Sequence, residues 1–98
     1  MRVATIGAAL LLFGSSAADA ESGKASYYRG IGKGGEMTCA HRTRSFGSMI
    51  KVSYRGHAIQ CRVNDRGPFV RGRIIDVSTS AARALGMMSA GVVVVLIE

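Results

Sequence analysis

The chain has 98 residues, of which 13 are Lys or Arg and 6 are Asp or Glu, and its formal net charge is +7. A chain of this length folds as one domain, near the lower limit at which a hydrophobic core is sufficient on its own. In a cytoplasmic protein this charge would indicate nucleic acid as the partner. In an exported protein it favours the anionic cell wall or the membrane surface instead. Composition therefore excludes a multidomain enzyme and leaves the compartment to be decided.

The beginning of the chain has the pattern of an export signal. It starts with Met-Arg, residues 3–13 are almost all apolar, and residues 18–20 (Ala-Asp-Ala) fit the small-x-small site of signal peptidase. The apolar run is too short to cross a bilayer core of roughly 30 Å as a permanent helix. We expect a signal peptide at 1–20 and a single domain at 21–98. The alternative is a buried N-terminal helix.

Two cysteines, Cys39 and Cys61, predict a disulfide. In an oxidising compartment an even pair in so small a domain is usually bonded, and closing a loop of about twenty residues stabilises a fold by about 3 kcal/mol. A metal-binding pair and a nucleophilic cysteine are the alternatives, but zinc sites need more ligands at closer spacing. Neither cysteine lies at the cleavage site. We therefore expect a periplasmic or secreted protein of a Gram-negative bacterium, with no lipid anchor and no membrane insertion after cleavage.

Two segments of alternating apolar and polar residues predict a β-hairpin. They are residues 49–54 and 58–63, and residues 55–57 (Arg-Gly-His) connect them. Period-two alternation on both sides of a short glycine-containing connection indicates paired antiparallel strands. The alternation turns one set of side chains inward: Ile50, Val52, Tyr54, Ile59, Cys61 and Val63.

Three more strands are predicted, at residues 23–28, 73–77 and 92–97, the last as a buried strand rich in β-branched residues. Residues 29–35 are glycine-rich and predict a loop. Residues 64–69 (Asn-Asp-Arg-Gly-Pro-Phe) also predict a loop, because proline has no N–H to donate to a strand ladder.

A short helix is predicted between Ser78, which can cap its start, and Gly86, which supplies a left-handed end. The total of about six strands and one short helix predicts an all-β fold in which a small closed barrel leaves few free strand edges.

Residues 64–69, followed by residues 72–78 (Gly-Arg-Ile-Ile-Asp-Val-Ser), closely resemble the rare lipoprotein A (RlpA) family. Further matching pieces occur in the family's order at residues 23–28, 38–43, 46–47 and 81–87, so the resemblance covers residues 23–98. It implies a six-stranded double-psi β-barrel related to the expansin barrel. It also implies an endolytic peptidoglycan lytic transglycosylase, which cleaves the bond between N-acetylmuramic acid and N-acetylglucosamine and leaves 1,6-anhydro ends. The preferred substrate would be glycan strands without stem peptides.

The resemblance, together with the chemistry, indicates three catalytic residues. A carboxyl group must protonate the leaving oxygen and then, once ionised, accept the proton of the attacking C6 hydroxyl. Asp65 is the candidate for this acid and base, and its alternative role is to shape its own turn. Glu36 matches the family's second carboxylate, and its alternative role is a solvated loop carboxylate. His41 would fix the geometry of a carboxylate or of the substrate, and its alternative is a barrel histidine with its hydrogen bonds satisfied inside the fold. The segment between Glu36 and His41 is shorter than in the family, and the aspartate that usually follows the glutamate is absent.

Substrate contacts are expected from Arg66, Tyr28 and Phe69, a guanidinium and two aromatic rings that suit a sugar polymer. The alternatives are that the aromatic rings belong to the core and that the arginine is only solvated. Asp76 corresponds to an aspartate that is functionally important in the related expansin-like barrels. Here it is interpreted as ordering the turn into the helix, and a catalytic role is the alternative. No cofactor, metal or nucleic acid is expected, and the expected state is a monomer. A second hypothesis is a non-catalytic, expansin-like module that binds the cell wall, which the shortened segment and the basic charge favour.

Overall fold

The computed structural model describes residues 20–28 and 35–98. Most of the predicted signal peptide and of the glycine-rich loop lies outside the described residues. Among those residues, no helix has the length and apolar character needed to cross a membrane. The elements in chain order are β1 (Glu21–Tyr27), β2 (Thr38–Ala40), β3 (Met49–Tyr54), β4 (His57–Asp65), β5 (Arg73–Val77), α1 (Thr79–Leu85) and β6 (Val93–Ile97).

The six strands close into a barrel in the order β1-β5-β2-β4-β3-β6. Two neighbouring pairs, β1 with β5 and β2 with β4, are parallel. The pairs β1–β6, β2–β5, β3–β4 and β3–β6 are antiparallel. The predicted all-β barrel of six strands with one short helix is confirmed.

The barrel interior is filled by small and branched aliphatic side chains that every strand contributes. Its largest fully buried members are Ile50, Ile75, Leu85, Met87, Ile97, Val52, Val63 and Val77. The predicted disulfide between Cys39 and Cys61 is also fully buried, and it joins β2 to β4 across the parallel pair. The core of so small a domain is therefore reinforced by a covalent bond between two adjacent strands.

The hairpin of β3 and β4 has a tighter turn than the sequence suggested. Tyr54 pairs directly with His57, so only Arg55 and Gly56 lie in the turn. Both have positive φ, 47° and 82°, which is the backbone of a type I′ turn and matches the twist of the two strands. The predicted inward face is confirmed for Ile50 and for Val52, which are fully buried.

The last strand differs from the prediction of a fully buried strand. Val93, Val95 and Ile97 are buried, but Val94 is 62% exposed and Leu96 is 42% exposed. Every strand of a small closed barrel has one face toward the interior and one toward solvent, and no other element among the described residues covers this part of β6.

The helix closes one end of the barrel with Ala81, Ala82 and Leu85, all fully buried. Its predicted ends are confirmed. The Ser78 side chain accepts a hydrogen bond from the backbone N–H of Ala81, and Gly86 has a φ of 77° in the left-handed region. The Ser78 hydroxyl oxygen also accepts from the N–H of Thr38 at 3.0 Å, which ties the helix start to β2.

Candidate active site

Four side chains form a row across four adjacent strands on the outside of the barrel. The register pairs Ser26 with Asp76, Asp76 with Ala40, and Ala40 with Asp65. The residues that precede the first three, which are Ala25, Ile75 and Cys39, are fully buried in the core. Because successive side chains in a strand point to opposite faces, the row lies on the side of the strands away from the core. Ser26 and Ala40 are nevertheless buried there, at 8% and 4% exposed, Asp76 is half-buried, and only Asp65 is exposed. We call these four residues the carboxylate row.

A shift in strand register turns Asp65 toward the outside. Val63 pairs with Cys39 in the core, but the next residue of β2, Ala40, pairs with Asp65, so Asn64 is an extra residue in β4. Strict alternation from the buried Val63 would have pointed Asp65 into the core. A bulge of this kind re-aims a side chain, and bulges are common beside active sites. The loop predicted at residues 64–69 accordingly begins two residues later, because β2 extends the ladder through Asp65.

Asp76 is half-buried and holds its proton more tightly than an ordinary aspartate. Burial is the main cause of its raised pKa, and the nearby charge of Asp65 raises the pKa further. The hydroxyl of Ser26 donates to Asp76 Oδ1 at 3.0 Å, and this bond, like the charge of Arg73, acts in the opposite direction. Burial and a neighbouring like charge both favour the protonated form of a carboxyl group.

Asp65 is exposed at the end of β4. Its Oδ1 accepts a hydrogen bond from the backbone N–H of Arg66 at 2.8 Å. Its Oδ2 accepts none from residues 20–28 and 35–98. One oxygen therefore shapes the local turn, which was the alternative role, while the other is open to solvent and to a ligand.

Glu36 lies apart from the carboxylate row in an ion pair with Arg62. The guanidinium donates from Nε to Oε2 at 2.8 Å and from Nη2 to Oε1 at 3.0 Å. The bidentate hydrogen bond, supported by the positive charge of Arg62, lowers the pKa of Glu36. Arg62 pairs with Thr38, which lies two residues before Ala40 on β2. Glu36 is thus an ionised group two register positions away from the carboxylate row.

The ring of His41 is nearly buried, with 5% of the residue exposed, and both ring nitrogens have partners. Nδ1 accepts from the backbone N–H groups of Thr43 and Arg44, each at 3.1 Å. A nitrogen that accepts carries no proton, so the ring proton of the neutral histidine is on Nε2, 2.9 Å from Glu21 Oε1. The ring therefore contacts neither Asp65 nor Glu36, whereas the His41 main chain does contact β4, since its N–H donates to the Asp65 carbonyl at 3.2 Å.

The three predicted substrate-binding residues, Arg66, Tyr28 and Phe69, differ in their contacts. Arg66 Nη1 donates to the carbonyls of His41 at 3.2 Å and Arg44 at 2.7 Å, and its guanidinium lies over the Phe46 ring at 4.0 Å. Tyr28, which follows Ser26 on the outer face, shares a hydrogen bond of 2.8 Å with the Thr38 hydroxyl.

Phe69 is 78% exposed, more than any other large apolar residue in the described ranges 20–28 and 35–98. Its ring lies against Gly67, where an added Cβ would be 3.3 Å from the Phe69 ring. Gly67 has a φ of 112°, a conformation that favours glycine, so the backbone requires glycine at this position under the ring.

The structure thus brings Asp65 together with Asp76, and it places Glu36 and His41 with other partners. Sequence reasoning did not place Asp76 beside Asp65, and it missed a second residue entirely. Asp76 was interpreted mainly as ordering the turn into the helix, with catalysis as the alternative, although the alternation of β5, with Ile75 and Val77 inward, could have placed it on the side away from the core. Glu21 was not considered, because no sequence signal connects it with a histidine twenty residues away. Within residues 20–28 and 35–98, no group of three His, Cys, Asp or Glu side chains has metal-binding geometry.

Residues 20–97 match the model of the protein family described as lytic transglycolase. The chain belongs to this family. The "Probable endolytic peptidoglycan transglycosylase RlpA" of a Nostoc species is 53% identical over 64 residues, which cover 63% of this chain and 17% of that protein. The "Endolytic peptidoglycan transglycosylase RlpA" of Vibrio cholerae is 44% identical over 91 residues, which cover 80% of this chain and 35% of that protein. The resemblance to the RlpA family is confirmed. This chain spans about a third or less of the length of those two relatives.

Solved structures show the same fold in proteins with other functions. A mutant of Clavibacter michiganensis expansin in complex with cellohexaose has a TM-score of 0.69 at 20% identity, over 81% of this chain and 49% of that one. Streptomyces papain inhibitor has a TM-score of 0.65 at 23% identity, over 82% of this chain and 93% of that one. The double-psi barrel predicted for this lytic transglycolase family member is confirmed, and function has to be argued from the carboxylate row.

Proposed function

We propose that this chain is an endolytic peptidoglycan lytic transglycosylase domain. It cleaves the bond between N-acetylmuramic acid and N-acetylglucosamine within glycan strands, preferably strands without stem peptides, and leaves 1,6-anhydro ends. The family and the names of the relatives support this activity. The observation that carries it is the pair of aspartates on the outer face, one exposed and one with a raised pKa.

The reaction needs a proton donor and a proton acceptor on the same face of the barrel. Protonated Asp76 gives its proton to the glycosidic oxygen as the bond from that oxygen to C1 breaks. The C6 hydroxyl oxygen of the muramyl sugar then bonds to C1, and ionised Asp65 takes the hydroxyl proton. No water is added, so the product is the anhydro sugar, and return of the proton from Asp65 to Asp76 restores the starting state.

Asp76 is assigned the role of acid and Asp65 the role of base because the two side chains have different environments. A general acid must hold its proton until it reacts, and burial with a neighbouring charge shifts the pKa of Asp76 upward, which is the direction that this role requires. A general base must be ionised and able to reach the substrate, and Asp65 is exposed with Oδ2 open. The sequence alone suggested that Asp65 performs both transfers; we now assign it the base and Asp76 the acid.

The surrounding groups suit a polyanionic sugar chain. Phe69 presents an exposed ring for the apolar face of a pyranose, Tyr28 stands beside the carboxylate row, and Arg66 adds positive charge next to Asp65. Glu36 is held ionised by Arg62, so it contributes by accepting hydrogen bonds from sugar hydroxyls rather than by donating a proton. His41 contributes by holding the end of β4.

We also propose that the protein acts in the periplasm or outside the cell, as a monomer and without a cofactor. The buried disulfide supports this location, because such bonds persist in oxidising compartments. The net charge of +7 supports attraction to an anionic wall polymer.

Mass spectrometry of purified glycan strands freed of stem peptides, incubated with the protein, tests the proposal. New 1,6-anhydro ends are expected with the wild type. Asp65→Asn and Asp76→Asn, which keep the side-chain shape, are each expected to lower the rate by about 10²–10⁴-fold. Glu98→Gln is the matched control, because Glu98 is exposed in a surface ion pair with Lys51. Release of hydrolysed reducing ends would instead indicate a hydrolase.

The second candidate is a wall-binding module that does not cut. The engagement of Glu36 with Arg62 favours it, because the family's second carboxylate is thereby unable to supply a proton. Such a module would sediment with peptidoglycan in a salt-sensitive manner and produce no new sugar ends. Unchanged glycan in the mass spectra, together with sedimentation, would establish it in place of the enzyme.

A further inference from the structure

Glu21, the first residue of β1, makes a contact that the reaction described above does not use. Its Oε1 is 2.9 Å from Nε2 of His41 and 3.8 Å from the Arg44 guanidinium. Arg44 also donates to the backbone carbonyl of Glu98 at 3.2 Å. The start of β1 and the residue that follows β6 therefore meet at the segment of residues 41–44.

The ring of His41 holds this segment from both of its nitrogens. On one side Nδ1 accepts from the N–H groups of Thr43 and Arg44, which closes a tight turn. On the other side Nε2 donates to Glu21. A buried imidazole with both nitrogens satisfied is fixed in orientation, and a carboxylate at the second nitrogen is the usual means of fixing it.

The main chain of the same residue holds the end of β4. The His41 N–H donates to the carbonyl of Asp65 at 3.2 Å, and the His41 carbonyl accepts from the Arg66 guanidinium at 3.2 Å. These bonds lie just beyond the register shift that turns Asp65 outward. A displacement of His41 would therefore move the backbone that carries the Asp65 carboxylate.

We propose that Glu21 is a positioning residue for Asp65. Its carboxylate fixes the His41 ring, the ring fixes the turn at residues 41–44, and the His41 main chain fixes Asp65 at the end of β4. The catalytic consequence rests on the proposed function, because it assumes that Asp65 reacts with glycan. The structural part depends only on the hydrogen bonds from Glu21 to β4.

Glu21→Ala and Glu21→Gln test the proposal, since glutamine keeps an oxygen that accepts from Nε2–H. Glu98→Ala is the matched control, a carboxylate removed at the same end of the barrel. We expect the amide hydrogen of His41 to exchange about tenfold faster in Glu21→Ala, relative to the amides of the core strand β3, and to be restored in Glu21→Gln. The ring ¹⁵N shifts of His41 should change in Glu21→Ala and stay unchanged in Glu98→Ala.

Measurements of kcat and KM distinguish a positioning role of Glu21 from a general loss of stability. With Asp65 displaced, Glu21→Ala should lower kcat about tenfold with little change in KM, and Glu21→Gln should recover most of kcat. Unchanged exchange and ring shifts in Glu21→Ala would overturn the proposal even if the wild type cleaves glycan. Faster exchange with unaltered kcat would overturn the positioning role. If the wild type cleaves no glycan, the proposed function fails, and the exchange data still decide whether Glu21 holds β4.

Discussion

Asp65 and Asp76 flank Ala40 on the two strands that neighbour β2, and the charge of Asp65 contributes to the raised pKa of Asp76. Desolvation by burial is the larger cause. The proton affinity of the half-buried carboxyl group is thus adjusted by a residue two strands away. This coupling yields measurable consequences that do not require a substrate.

Asp65→Asn should lower the pKa of Asp76. The substitution removes the negative charge that opposes ionisation of Asp76, whereas burial and the Ser26 hydrogen bond remain. The ¹³C shift of the Asp76 carboxyl carbon, followed by NMR over an acid pH series, measures the change. Glu98→Gln removes a carboxylate elsewhere on the surface and should leave the titration unaltered. If Asp76 titrates at the same pH in both variants, the two aspartates are not coupled.

Asp76→Asn should stabilise the fold near neutral pH while it removes activity. The pKa of Asp76 is raised in the folded state, so its contribution to the free energy of unfolding falls as pH rises from the usual aspartate value through the folded pKa. Asparagine cannot ionise and keeps an oxygen for the Ser26 hydroxyl. The variant should therefore have a higher Tm than the wild type near pH 7, and the difference should vanish below the usual pKa of aspartate. An equal or lower Tm near pH 7 would contradict this sign.

Sequence patterns predicted the parts of the fold that depend on local chemistry. The alternation of the hairpin, the Ser78 cap and the Gly86 end each depend on neighbouring residues, and each is confirmed. The three-residue strand β2 was not predicted, because so short a segment has no periodicity to detect. Its partners come from residues 62–65 and 76–77, far along the chain.

The same limit applies to the candidate site. Asp65 could be selected from the sequence, but its outward direction depends on a register shift against β2, and its neighbour Asp76 is known only once β5 is placed beside β2. The link from Glu21 to His41 likewise requires the barrel to close. Pairing between distant strands is set by tertiary packing, which no local pattern records.

Replacing both cysteines, as Cys39→Ala with Cys61→Ala, should lower the free energy of unfolding by about 3 kcal/mol. The bond closes a loop with a sequence separation of 22, and both side chains are fully buried. In a domain of this size Tm should fall by more than about 10 °C. Activity per folded molecule should persist at low temperature, because the cysteines point into the core and away from the carboxylate row. A Tm equal to that of the wild type would show that the core is sufficient without the bond.

Glu36→Gln should affect substrate binding more than the chemical step. Arg62 lowers the pKa of Glu36, so the group is ionised and cannot act as the acid. The exposed ion pair contributes little to stability, and Tm should be almost unchanged. We expect a higher KM and a loss of kcat far smaller than in Asp76→Asn. A loss of kcat equal to that of Asp76→Asn would instead place Glu36 in the proton transfer, as the sequence suggested.

Phe69→Ala should weaken glycan binding without destabilising the fold. The ring is 78% exposed, so its removal takes little apolar surface from the folded protein, and a sugar stacked on it loses a contact of about 1 kcal/mol. KM should rise severalfold while kcat and Tm stay close to the wild type. Val70→Ala is the matched control, because Val70 is the next residue and is also exposed, at 53%, but carries no ring. If the two variants bind glycan equally well, the exposed ring is not part of the sugar-binding surface.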